Sequence, residues 1–241
     1  AQGNRSIAFD VMPPSSRVGF SKEGEFYKGW QYDDFVEDAH KVLDNLKKYY
    51  PGYQGQGYEV AGFCWWQGHK DAGISQRFYE KHLVNLIKDF RKEFKSPDMK
   101  AVVASVAFGG ENMSGGYLEI LKAQMAVSDD KKYPEFKGNV ASVDCRPFFR
   151  EGGAHYGGNA ETYTLVGDGL GRYMIKLLEG EPIAYKPIGS GLRKLKTTKP
   201  SGPAPDEKKP IKVYVLMGQS NMVGMGHAGG EQPGTLETVI K

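Results

Sequence analysis

Apolar residues recur at helical spacing over residues 33–49, where Phe35, Val36, Ala39, Val42, Leu43 and Leu46 share one side. The turn residues of "PGYQGQG" stop that pattern, and "YEVAGFCWW" (58–66) follows as a nearly unbroken apolar run. Such a run predicts a strand buried on both faces. The longest amphipathic stretch is 74–94, with Phe78, Leu83, Leu86, Ile87, Phe90 and Phe94 on one stripe. Beyond it, "AVVASVAF" (101–108) predicts a second buried strand and 116–127 a helix. "NVASVDC" (139–145) predicts a third strand, 160–179 a helix ending at Gly180, and 211–217 a last strand. Residues 1–32 carry Pro13-Pro14 and Ser15-Ser16 without a period and read as loop. Alternating strands and helices argue for an α/β fold, a mainly parallel sheet with helices on both faces.

Between 187 and 210 the pattern vanishes into "PIGSGLRKLKTTKPSGPAPDEKKP", a linker composition. The expected organisation is a domain over 1–186, a linker over 187–210, and a segment over 211–241 that completes the same kind of domain. A chain of 241 residues buries a core without staples. Its net charge of +3, from 32 basic and 29 acidic side chains, gives no reason to expect nucleic acid or membrane partners. Apolar runs are too short to span a bilayer. The first ten residues lack the basic start and apolar run of a leader peptide. Cys64 and Cys145 sit in apolar strand contexts and read as buried thiols, not as a disulfide framework.

Candidate chemistry concentrates where predicted strands end. "KVYVLMGQSNM" runs from a strand into a Gly-Gln-Ser turn, which sets Ser220 at the carboxyl edge of the sheet, where open α/β sheets place their sites. An N-cap role is the plain alternative for Ser220. A serine nucleophile needs a base. Of five histidines, His40 and His82 lie within amphipathic helices, whereas His69, His155 and His227 lie in turns or loops. His155 follows a strand and precedes a helix, a position from which it can reach over a sheet edge. Clustered aromatics such as Trp65-Trp66 suit a sugar face or acetyl methyl as well as a core.

Three blocks, "GQSNM" (218–222), "WWQGHKD" (65–71) and "HYGGNAETY" (155–163), with "GNRSI" (3–7) as a fourth, resemble the carbohydrate-esterase branch of the SGNH hydrolases, which holds sialate O-acetylesterase-like and acetylxylan-esterase-like domains. The resemblance implies a three-layer α/β/α sandwich that removes acetyl groups from carbohydrate through an acyl-serine, without metal or organic cofactor. It implies Ser220 as nucleophile and His155 as base. It implies Gly3, Gln67 and the Ser220 amide as donors to the oxyanion. Trp65, Trp66 and Asn221 are the candidate substrate contacts. A secreted or periplasmic location is implied by resemblance alone.

Three departures stand out. Relatives place an aspartate three residues before the base; here that position is Gly152, which leaves Glu151, Asp144 or no acid to orient His155. His69 stands where relatives carry glutamate. The block order is also rotated, with the serine block last. A circularly permuted domain and a fragment completed by a partner chain or second copy are both compatible with that order. Besides an esterase, a carbohydrate-binding domain without a working triad fits the same residues.

Overall fold

A computed structural model describes residues 5–181, 183 and 209–218. Gly3, Ser220, Asn221, His227 and nearly all of the 187–210 linker lie outside the described residues. In chain order the elements are α1 (Trp30–Asp44), α2 (Leu46–Tyr49), β1 (Tyr58–Trp66), α3 (Gln76–Glu93), β2 (Lys100–Ala104), α4 (Gly115–Ala126), β3 (Val140–Val143), α5 (Ala160–Glu179) and β4 (Ile211–Gly218). Gly180 closes α5 in a left-handed conformation, its N–H bonded to the Leu177 and Lys176 carbonyls.

The four strands form one all-parallel sheet in the order β3-β2-β1-β4. Alternation along β1 divides the core. Phe63 and Trp65 face the layer of α1, α3 and α4 with Tyr79, Leu83, Ile87, Phe90, Ile120 and Leu121. Cys64 and Trp66 face α5 with Val166, Leu170, Met174 and Leu177. The three-layer α/β sandwich expected from the sequence is therefore present. The chain winds from β1 outward to β3 with α3 and α4 on one face. It then crosses by α5 on the other face and adds β4 on the opposite side of β1. The order reverses between β1 and β4, and crevices open at the carboxyl ends of such switch points.

Several expectations need correction. The second strand stops at Ala104, not residue 108, because its neighbour β3 ends at Val143 and leaves no ladder partner. Beyond it the backbone pairs with side chains: Val106 N–H donates to Gln124 Oε1 (2.8 Å) and Ala107 N–H to the Tyr156 hydroxyl (3.2 Å). Phe78, expected on the buried stripe of α3, is 61% exposed. Residues 5–29 are ordered loop, pinned by Ser15 to Asp89 of α3 and by Arg17 to Asp33. Those contacts hold Asp33 at a pKa of about 2: burial opposes ionisation, but hydrogen bonds from Arg17, Lys22 and Tyr27 outweigh it. Burial lifts the Cys64 thiol to about 12, so it is an inert core group. Among the described residues no helix is long and apolar enough to cross a membrane.

The first turn of α4 meets the turn after β1 at Gly116, where a Cβ would sit 1.5 Å from the Ala72 carbonyl oxygen. Gly116→Ala must push backbone from backbone. We expect it to cost about 3 kcal/mol or more, lowering the melting temperature by roughly 6–12 °C. An unchanged melt would contradict this packing.

Candidate functional site

The carboxyl edge is built around the end of β1. Register pairs Trp66 of β1 with Gly218 of β4, so the chain leaves β4 beside Gln67. Gln67 is buried, and its side chain is fully committed: Nε2 donates to the Arg5 carbonyl (2.7 Å) and to Asp71 Oδ2 (2.6 Å). Asp71, 1% exposed, also accepts from the Ser6 hydroxyl (2.5 Å) and from Ile7 N–H (3.0 Å). Burial pushes the Asp71 carboxyl above the usual range, against the pull of these donors. The Tyr79 hydroxyl donates to the Gln67 carbonyl (2.8 Å) and accepts from Trp65 Nε1 (3.1 Å) and Gln124 Nε2 (3.0 Å). Gln67 was expected to give its amide to an oxyanion. In this arrangement that amide ties the loop after Gly3 to the end of β1, and an oxyanion bond would cost it one of two partners.

Trp65 is wholly buried and hydrogen-bonded in the α3-side core, so it presents no surface to a substrate. Trp66 is also buried; it stacks on Tyr156 (centroids 5.8 Å apart, 9° between planes) and meets Tyr163 edge-on. The sugar-facing wall expected of the two tryptophans is thus interior structure, because β1 is covered on both faces.

His155 lies half-buried on a short turn before α5, and both it and Tyr156 have φ of 53°. Two consecutive non-glycine residues in the left-handed region cost about 1–2 kcal/mol each, and such strain clusters at functional sites. Surrounding contacts hold it. Tyr156 is sandwiched between Trp66 and Phe108 (4.4 Å, 15°), its hydroxyl accepts from Ala107 N–H, and the Tyr163 hydroxyl donates to the His155 carbonyl (3.2 Å). Asn159 caps α5 by accepting from Thr162 N–H (3.1 Å).

The missing acid has a steric cause. A Cβ at Gly152 would lie 2.7 Å from Gly157 Cα and 2.9 Å from Gly157 N, so the turn carrying His155 closes against Gly152 backbone. An aspartate at that position does not fit this turn. Asp144 is engaged by Arg146, whose Nε and Nη2 donate to both carboxylate oxygens. Glu151 is exposed and forms no hydrogen bond or ion pair with another described residue. Neither acid expected to orient His155 is brought to it among the described residues. No group of three or more His, Cys, Asp or Glu side chains suited to a metal occurs among them.

Sequence reasoning passed over Asp71, Tyr79 and Gln124. A signal existed for Gln124, a polar residue between Ala123 and Met125 inside a buried helix face. For Asp71 it was only the end of the "WWQGHKD" block.

Residues 17–174 match the family model described as carbohydrate esterase, sialic acid-specific acetylesterase. No curated protein and no solved structure shows significant similarity to the chain.

Asp71→Asn would replace an acceptor with a group that is half donor, among three donors. We expect a stability loss of about 1–3 kcal/mol and faster amide exchange at residues 5–8. Exchange unchanged from the parent protein would contradict the anchoring role.

Proposed function

Because the chain belongs to the sialic acid-specific acetylesterase family of carbohydrate esterases, we propose that it hydrolyses acetyl esters of carbohydrate through an acyl-serine intermediate. Ser220 is the nucleophile and His155 the general base. The imidazole takes the hydroxyl proton as Ser220 Oγ bonds to the ester carbonyl carbon. The tetrahedral oxyanion is held by the Gly3 and Ser220 amides, with Gln67 as third donor or as the anchor that sets the Gly3 turn. Collapse expels the sugar oxygen, which leaves with the proton from the imidazolium. A water activated by the same histidine then releases acetate and restores Ser220.

One observation carries this reading: the carboxyl end of β4 and the turn bearing His155 both converge on Trp66. Gly218 pairs with Trp66 in the sheet, and Tyr156 stacks on the same indole. Two residues of chain keep Ser220 within about 7 Å of Gly218 in any conformation. The rotated block order is consistent with this, since β4 lies parallel to β1 at the switch point. That order fits either a circularly permuted domain or a piece of such a domain completed by a partner segment. Acetylated glycans, of sialate or xylan type, are the substrates proposed.

A second reading, a domain that binds acetylated carbohydrate without cleaving it, is favoured by the Asp144–Arg146 pairing and by the close backbone at Gly152. Turnover separates the two. Ser220→Ala is expected to lower kcat for a chromogenic acetyl ester by at least about 10⁴-fold, and His155→Ala comparably. Retained turnover in Ser220→Ala would sink the nucleophile assignment. A folded wild-type protein that binds acetylated sugar without turnover would support the binding-only reading.

A further inference from the structure

With both tryptophans interior, the aromatic surface of this edge lies elsewhere. His69 stands exposed on the turn after β1, Phe108 is half-buried beyond β2, and Tyr117 is half-buried in the first turn of α4. Three separate segments bring these rings into mutual contact. Centroids lie 5.1 Å apart for His69 and Phe108, 4.9 Å for Phe108 and Tyr117, and 5.8 Å for His69 and Tyr117, the last pair at 23°. The Tyr117 hydroxyl is hydrogen-bonded to His69 Nδ1 at 2.7 Å, which fixes the imidazole in its plane.

The cluster is continuous with the proposed catalytic edge. Phe108 stacks on Tyr156, and Tyr156 on Trp66, so a ladder of rings runs from Tyr117 to the end of β1. His69 is two residues from Gln67, and His155 is close enough to oppose its protonation. Burial, His155 and Lys70 together lower its pKa, so the imidazole is neutral near pH 7. With Nδ1 bound to Tyr117, Nε2 is the nitrogen left to a ligand. A core-packing role accounts for Tyr156 and Trp66, which are covered. It does not account for an exposed imidazole tethered against two half-exposed rings, stacked on Tyr117 and tilted against Phe108.

We propose that His69, Phe108 and Tyr117 form the subsite for a pyranose ring of the acylated substrate, its C–H face against the rings and one hydroxyl hydrogen-bonded to His69 Nε2. The pairing follows from the ligand's chemistry. A pyranose offers an apolar face ringed by hydroxyls, and an aromatic surface with a neutral polar edge matches both. The inference rests on the ester-hydrolysing edge proposed above and adds what discriminates among its substrates. It also gives His69, which departs from the glutamate of relatives, a defined part in recognition.

Selectivity is the test. The probes are p-nitrophenyl acetate, which has no sugar, and mono-O-acetylated methyl glycosides, including those of xylose and N-acetylneuraminic acid. The ratio of glycoside to aryl-acetate kcat/KM is expected to fall roughly five- to tenfold in His69→Ala, chiefly through KM, the loss expected for one hydrogen bond to substrate. Tyr117→Phe keeps the ring but removes the tether, and should shift the ratio in the same direction by less. An unchanged ratio in both variants would overturn the subsite, as would parallel losses on both probes. If the wild-type protein hydrolyses neither probe, the esterase reading fails, and the subsite is judged by binding. Saturation-transfer NMR with the acetylated methyl glycosides should then show ring-proton contacts that His69→Ala weakens. Absent or unaltered contacts would overturn the inference.

Discussion

A carboxyl group buried at the end of the central strand must be hydrogen-bonded, and the way Asp71 meets that demand organises the edge around it. Its partners come from the N-terminal loop, through Ser6 and Ile7, and from the end of β1, through Gln67. Gln67 in turn holds the Arg5 carbonyl, while its own carbonyl is held by Tyr79 and Gln124. Loop, strand, α3 and α4 are thereby fixed to one another by groups that water cannot reach. In a low-dielectric interior no partner can leave without stranding another. The loop that follows Gly3 and the strand end that faces Gly218 are set by the same constraint.

Against that rigid corner stands a strained one. Left-handed backbone at His155 and Tyr156 persists because Tyr156 is sandwiched between Trp66 and Phe108. Strain at one turn and saturation at the neighbouring strand end give the switch point two halves, one displaying His155 and one carrying an anchored glutamine. The same stacking passes outward to Tyr117 and His69. One ladder of rings thus both braces the turn that carries His155 and reaches the surface at His69, where the sugar subsite is proposed.

Much of this was legible in the sequence, and the limits were physical. Strand β1 was predicted to the residue, because an apolar run between turn residues has few other fates. The parallel sheet followed from alternating periods. What periodicity could not supply was the far side of each contact. Trp65 and Trp66 are indistinguishable as letters, yet sheet alternation turns one toward α3 and the other toward α5 and covers both. Gln67 was recognised, but its two partners, 62 residues upstream and four downstream, belong to tertiary structure. Gly152 was noted as a departure, and only the approach of Gly157 explains it. Phe78 faces solvent because its neighbour Tyr79, four residues before Leu83, takes the buried position on that stripe of α3.

The central claim is that the segment following β4 supplies the nucleophile at the β1–β4 switch point. Mass spectrometry of protein quenched during turnover of an acetyl ester tests it most directly. Trypsin releases residues 213–241 as one peptide in which Ser220 is the sole serine. The account predicts that this peptide alone carries the acetyl group, on Ser220. Turnover with the acetyl group on another residue, or with no acyl-enzyme under conditions that trap one, would contradict it.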